Sequence, residues 1–176
     1  MTFSNERFLQ NFLENEVQTK MLLIDGFAGS GQKTRFLASH VGNDGMVLSF
    51  HEDRQEANKT AASLFMAGIQ DRVTVENGRF SEDGLKNELG RLTKADIILL
   101  DYRQTDKTDQ HRINNDCEIA WQYLKEGGQL LVILSSEEAI SSLKSAIEMD
   151  LSDFSTATFT ASDGCTLLFE KKVSKE

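Results

Sequence analysis

The chain of 176 residues contains no proline, two cysteines and three histidines. The absence of proline excludes loops that depend on its fixed φ angle. Cys117 and Cys165 form no metal or redox motif, so we expect two buried, reduced thiols rather than a disulfide. The histidines are scattered along the sequence, which argues against a zinc site. The sequence therefore predicts a protein without a bound metal.

Long apolar runs and positive charge are also scarce. No run approaches the roughly 20 residues that a membrane-spanning helix needs, and the N-terminus lacks the layout of a signal peptide, so we expect a cytoplasmic protein that avoids membranes. The 19 Lys and Arg residues against 28 Asp and Glu give a net charge of −9. This charge argues against non-specific binding to nucleic-acid backbones, although it allows a local basic patch. The length predicts one domain over 1–176, with an N-terminal helix in 1–20 and a core in 21–176.

Apolar runs alternate with helical patterns along most of the chain. This alternation predicts an α/β, Rossmann-like fold, a mostly parallel sheet with helices on both faces. A Ser-Asp-Gly turn near the C-terminus predicts a β-hairpin, which would add an antiparallel strand and favours a methyltransferase sheet. Strands are predicted at 21–25, 46–50, 73–75, 95–101, 129–134, 154–160 and 165–170, and helices at 4–18, 32–40, 54–67, 81–91, 117–124 and 137–149.

The segment Asp25-Gly-Phe-Ala-Gly-Ser-Gly31 carries the clearest functional signal. It follows an apolar strand and leads directly into a helix. Its glycines let the backbone approach a ligand closely, and the start of the helix presents unpaired N–H groups. Such a segment could bind a dinucleotide, a nucleoside triphosphate or S-adenosylmethionine.

Spacing favours one of these three ligands. A dinucleotide site needs G-x-G-x-x-G, and Thr34 stands where the third glycine would be. A phosphate loop needs G-x-x-x-x-G-K-[ST], and the extra Gln32 would rotate Lys33 by about 100° away from the phosphates. In that interpretation Asp101 would bind magnesium. An S-adenosylmethionine site needs an acid near the end of the first strand and then G-x-G, and the segment above supplies both.

Three stretches, 23–38, 41–50 and 67–74, resemble the class I S-adenosylmethionine-dependent methyltransferases. More narrowly, they are similar to the small rRNA methylases, a group linked to methylation of modified wobble uridines in tRNA. The similarity is clearest over 21–75, and the Leu-Lys-Glu-Gly-Gly stretch at 124–128 matches as well. The resemblance implies S-adenosylmethionine as the cofactor and RNA, either rRNA or tRNA, as the methyl acceptor.

The chain departs from the pattern that this resemblance implies. His51 replaces the acid expected at the end of the second strand. Glu52 could bind the ribose hydroxyls after a small shift in register, or Glu52 and Asp53 could serve only as charges at the start of the next helix. After the third strand, Arg79 stands where an acid is expected, and Phe80 could stack on adenine.

The end of the fourth strand carries the chemistry in this superfamily. Asp101 could orient the methionine amine or act as a base, or it could cap a neighbouring helix. Tyr102 matches a tyrosine of the narrower family. The segment 101–116 is polar and lacks periodicity, which suits a lid or a substrate loop. Its candidates for contact with phosphate are Lys107, His111 and Arg112.

These observations predict a methyltransferase that acts on RNA. Two alternatives stay open: a degenerate methyltransferase fold that serves as a binding or scaffold module, and a methyltransferase of small molecules. The oligomeric state is open too, with a homodimer as one option. The residues predicted to be catalytic are Asp101 and Tyr102. The residues predicted to bind the cofactor are Asp25, Phe27, Gly29, Ser30, Gly31, His51, Glu52, Arg79, Phe80 and Asp101.

Overall fold

A computed structural model describes residues 3–103, 109–136, 141, 143–145 and 154–173. Within these residues, no helix is long and apolar enough to cross a membrane. The strands are β1 (Leu22–Asp25), β2 (Met46–His51), β3 (Val73–Asn77), β4 (Ala95–Asp101), β5 (Leu124–Leu134), β6 (Phe154–Ala161) and β7 (Gly164–Lys171). The helices are α1 (Asn5–Glu16), α2 (Gln32–His40), α3 (Arg54–Met66), α4 (Glu82–Leu89) and α5 (Gln110–Tyr123).

The strands form a seven-stranded sheet in the order β3-β2-β1-β4-β5-β7-β6. Strands β1 to β5 pair in parallel, whereas β7 runs antiparallel to both β5 and β6. The predicted parallel sheet and its closing hairpin are therefore confirmed. Because the strand order reverses between β1 and β4, a crevice opens at the carboxyl ends of these strands, which is where open α/β sheets bind ligands.

The sheet separates two layers of the core. Successive side chains of a strand point to opposite faces. Leu23 and Leu99 accordingly pack with apolar residues of α1, α2 and α3, whereas Ile24 and Leu100 pack with residues of α4 and α5. Near-continuous apolar strands are expected when a parallel sheet is covered on both sides.

The first helix is attached to the turn of the C-terminal hairpin. Ser4 caps it by accepting a hydrogen bond from the backbone N–H of Arg7. The carboxylate of Asp163 accepts the backbone N–H groups of Asn5, at 2.6 Å, and Glu6, at 3.3 Å. The hydroxyl of Thr166 donates to the side-chain oxygen of the fully buried Asn5, at 2.8 Å. These bonds place the start of α1 beside the carboxyl end of β5, where β7 begins.

The structure corrects one helix and leaves another outside its range. α5 begins at Gln110 rather than at residue 117, because Asp109 caps it by accepting the N–H of His111 and because Ile113 is already buried. The latter part of 101–116 is therefore helix, and 104–108 lies outside the described residues. The helix predicted over 137–149 also falls largely outside them, although 141 and 143–145 are helical.

Candidate active site

The glycine segment forms a tight turn between β1 and α2. Gly29 and Gly31 have φ angles of +50° and +76°, which L-residues with a side chain rarely adopt. The N–H of Gly26 donates to Leu99 at 2.8 Å, and the N–H of Ala28 donates to Phe50 at 3.0 Å, both at backbone carbonyls. The turn is thus held between the ends of β4 and β2. Ser30, at its tip, is exposed.

Asp25 lies beneath this turn and is fully buried. The Thr34 hydroxyl donates to Oδ2 of Asp25 at 2.8 Å, and a backbone hydrogen bond from Phe27 also reaches the carboxyl. Burial raises the pKa of Asp25 to about 6, against the opposing effects of these hydrogen bonds and of the charge of Lys33. Asp25 therefore holds the turn from below through Thr34 and Phe27.

A cavity of about 170 Å³ adjoins the turn. Asp101 and four other residues predicted to bind the cofactor line this cavity. The remaining lining residues come from the end of β2, the loop after it and the start of α3. The complete lining is Phe27, Gly29, Phe50, His51, Glu52, Asp53, Glu56 and Asp101.

His51 lies at the end of β2 but is bound to the protein. Its Nδ1 lies 3.0 Å from the carbonyl oxygen of Gly29, and its Nε2 lies 3.2 Å from the hydroxyl of Ser49. Burial lowers the pKa of His51, so the neutral ring donates from Nδ1 and accepts at Nε2. His51 therefore supports the glycine turn instead of supplying a negative charge.

The two acids after His51 differ in their contacts. The Asp53 side chain caps α3 by accepting hydrogen bonds from the backbone N–H groups of Gln55 and Glu56. This agrees with the alternative in which Asp53 serves only the start of the next helix. Glu52 makes no cap. Its exposed carboxylate lines the cavity and pairs with Arg112, so Glu52 presents to the cavity a carboxylate that caps no helix.

Arg112 connects α5 to the mouth of the cavity. Besides its contact with Glu52, its guanidinium carbon lies 4.8 Å from the centre of the Phe27 ring. This distance is typical of a cation–π contact. Of the three candidates for phosphate contact in 101–116, Arg112 borders the cavity through these contacts, His111 is exposed and Lys107 lies outside the described residues.

Asp101 lies at the opposite wall of the cavity and is held by two cations. Arg103 donates from Nε to Oδ1 at 3.0 Å and from Nη2 to Oδ2 at 2.7 Å, and Nζ of Lys33 lies 2.9 Å from Oδ2. Burial alone would raise the pKa of Asp101, but the bonds and charges of Arg103 and Lys33 outweigh it and lower the pKa. A carboxylate that holds its charge so firmly is suited to orienting a cationic group and is a weak base.

Tyr102 is buried below the cavity. Its hydroxyl donates to Oδ2 of Asp116 at 3.0 Å, its ring lies 4.5 Å from that of Phe27, and burial raises its pKa. Tyr102 is not among the residues that line the cavity. The structure thus gives it a supporting position behind Phe27.

The two residues predicted near adenine are also outside the cavity lining. Phe80 is 1% exposed and meets Phe50 edge-on, at 5.5 Å between ring centres. Arg79 is about half exposed and lies 3.9 Å from Oδ1 of Asp116. In this structure Phe80 belongs to the core beneath the cavity, and Arg79 compensates a buried acid.

The residues present fit an S-adenosyl ligand better than a nucleoside triphosphate. The left-handed Gly29 and the exposed Glu52 both line the cavity and suit a ligand that brings ribose hydroxyls close to the backbone. Lys33, which a phosphate loop would direct to phosphates, contacts Asp101 instead. Within the described part of the chain, no group of three side chains is arranged to hold a metal ion.

No protein-family model matches the sequence. Solved structures nevertheless show the fold to be that of the class I methyltransferases. A protein from Clostridium thermocellum assigned as an rRNA methylase shares 18% identity with the chain, covers 99% of it and 100% of itself, and superimposes with a TM-score of 0.80. A protein from Streptococcus mutans assigned as a methyltransferase, solved in complex with S-adenosylhomocysteine, shares 18% identity at a TM-score of 0.73, over 97% of this chain and 99% of that one. An S-adenosylmethionine-dependent O-methyltransferase from Thermotoga maritima shares 16% identity at a TM-score of 0.71, over 100% of this chain and 69% of that one.

Sequence reasoning missed the cations of the site. The sequence pattern relates Lys33 only to a phosphate loop and carries no prediction for Arg103, whereas both side chains bind Asp101. The spacing offered one signal for Arg103, because a residue two positions after a strand-end acid can return its side chain to that acid. The pairing of Arg103 with Glu6, at 2.7 Å, joins residues 97 positions apart and has no local signal.

Proposed function

We propose that the chain is an S-adenosylmethionine-dependent methyltransferase and that its acceptor is RNA. The observation that carries the first part is the cavity that combines the left-handed glycine turn with Glu52 and Asp101. The cofactor would supply an electrophilic methyl group on a sulfonium sulfur, which a lone pair of the acceptor attacks. The protein would hold the donor by its ribose at Glu52 and against the glycine turn, beside Asp101. Rate enhancement would come chiefly from positioning donor and acceptor.

Similarity of fold to chains assigned as rRNA methylases supports RNA over a small molecule. Besides the protein from Clostridium thermocellum, an rRNA methylase from Streptococcus thermophilus shares the fold at a TM-score of 0.75. Arg112, which lies against the Phe27 ring of the cavity lining, and the half-exposed Arg79, which contacts the same Asp116, also provide two positive charges on this side of the fold.

A binding module without catalysis is the second candidate. The observations that favour it are the burial of Tyr102 and the two cations on Asp101. Such a protein would bind S-adenosyl compounds and transfer nothing.

Methyl transfer from radiolabelled S-adenosylmethionine tests these functions. The purified protein is incubated with cellular tRNA, with rRNA and with a phenolic acceptor, and the label in each is counted. We expect label in one RNA fraction, and less than a tenth as much when Glu52→Gln replaces the natural protein, because the ribose contact is lost. Glu118→Gln, an exposed acid of α5, is the control and should act as the natural protein does. Label in the phenol alone would indicate a small-molecule enzyme, and binding without transfer would indicate the module.

A further inference from the structure

Asp101 has no hydrogen-bonding capacity left for a ligand. A carboxylate offers about four acceptor positions on its two oxygens. Arg103 fills three of them, with its backbone N–H at 3.2 Å, its Nε at 3.0 Å and its Nη2 at 2.7 Å. The ammonium of Lys33 fills the fourth at 2.9 Å. An amino group from a ligand could reach Asp101 only by displacing one of these donors.

Lys33 is the donor that can be displaced. Arg103 makes three bonds to Asp101 and a fourth to Glu6 of α1, so its departure would break four bonds. Lys33 holds Asp101 through one ion pair, and its side chain is 21% exposed. It also lies in the first turn of α2, where a positive charge opposes the helix dipole.

Lys33 lines one cavity and contacts a residue that lines another. It lines a cavity of about 200 Å³ between α1 and α2, while its partner Asp101 lines the cavity beside the glycine turn. The charge of Lys33 also acts on Asp25, whose pKa it lowers against the larger effect of burial. The ammonium thus occupies the position beside Asp101 that the amino group of a bound amino acid would need.

We propose that Lys33 determines ligand specificity by holding the amine position of the site, so that the cavity recognises 5′-thioadenosines with little regard to their amino-acid tail. The inference rests on the proposed function. An amino group that displaces Lys33 exchanges one ammonium–carboxylate bond for another, so the net gain is small. The nucleoside part, by contrast, meets Glu52 and the glycine turn without displacing any cation from Asp101.

Two ligands test this directly, S-adenosylhomocysteine and 5′-methylthioadenosine, which share the thioadenosine and differ in the amino-acid tail. Calorimetry gives both dissociation constants for the natural protein, for Lys33→Met and for Lys86→Met, an exposed lysine of α4 that controls for the loss of charge. We expect the two ligands to bind the natural protein and Lys86→Met within about threefold of each other. In Lys33→Met, the affinity for S-adenosylhomocysteine should rise about tenfold relative to that for 5′-methylthioadenosine. The amino group of the tail can then form a charged hydrogen bond with Asp101 without displacing a lysine.

Three results would overturn the inference. One is a preference of tenfold or more for S-adenosylhomocysteine in the natural protein that Lys33→Met leaves unchanged. Another is a selective loss of S-adenosylhomocysteine in Lys33→Met, which would mean that Lys33 holds the carboxylate of the tail. Failure of every variant to bind either ligand would overturn the proposed function itself. Thermal unfolding confirms that the variant is folded, and Lys33→Gln replaces it if Lys33→Met is not.

Discussion

Replacing Gly31 by alanine is expected to destabilise the protein by about 2–5 kcal/mol. The residue has a φ of +76°, which costs a residue with a Cβ about 1–2 kcal/mol. The new Cβ would also lie 2.6 Å from Cγ2 and 2.9 Å from Cβ of Thr60, and closer still to its Oγ1. Thr60 is buried and β-branched, so it cannot rotate away easily, and overpacking of this kind costs about 1–3 kcal/mol. Urea denaturation measures the loss.

Gly68 provides the matched control. It has a φ of +68°, and a Cβ there would meet nothing within 4 Å. Gly68→Ala should therefore lose only the backbone cost, about 1–2 kcal/mol. Combining Gly31→Ala with Thr60→Ala should recover part of the loss, because two of the three clashing atoms are removed. Equal losses for Gly31→Ala and Gly68→Ala would show that α3 does not press against the turn as described.

The stability of the protein is expected to fall between pH 4 and pH 6 through Asp25. The pKa of this carboxyl is about 6 in the folded protein and 3.8 as its ordinary value. Within that window the folded state keeps the proton that the unfolded state releases, so stability decreases as pH rises. The difference of about two pH units corresponds to about 3 kcal/mol, which is fully lost above pH 6. In Asp25→Asn this contribution disappears, so the variant should gain stability relative to the natural protein as pH rises from 4 to 7.

The comparison isolates the effect of Asp25 because titrating groups that do not interact with this carboxyl contribute equally to both proteins. Free energies of unfolding from urea titrations at pH 4.5, 5.5 and 7 give the difference at each pH. Asp44→Asn, at an exposed turn residue, controls for the removal of one carboxylate. If the difference in the free energy of unfolding between Asp25→Asn and the natural protein stays constant with pH, the description of Asp25 as a desolvated acid is contradicted.

Local patterns in the sequence predict most of the sheet. The apolar strands, the glycine turn and the Ser-Asp-Gly hairpin each have short-range signals, and the structure confirms all three. The early part of α5 was missed because polar residues at 110–112 obscure its periodicity. Its signals were nevertheless present, since Asp109 is a favourable cap and Ile113 and Cys117 are four residues apart on one buried face.

The candidate site is less predictable because its charges pair over long distances in sequence. From the sequence, the roles of Glu52 and Asp53 can be stated only as alternatives. A shift of one residue in register changes which of the two side chains faces the cavity and which caps the helix. The pairing of Glu52 with Arg112 joins positions 60 residues apart, and no local rule predicts it. The burial of Tyr102 and Phe80 depends likewise on packing between elements that are distant in the chain.

Calorimetric titration with S-adenosylhomocysteine tests the central claim, that the cavity beside the glycine turn binds S-adenosyl compounds. We predict a dissociation constant in the micromolar range for the natural protein. Glu52→Gln should weaken binding by about tenfold or more, because a hydrogen bond to a charged group is lost, and Glu118→Gln should leave it unchanged. No heat of binding at millimolar ligand, or equal affinity for Glu52→Gln and the natural protein, would contradict the account.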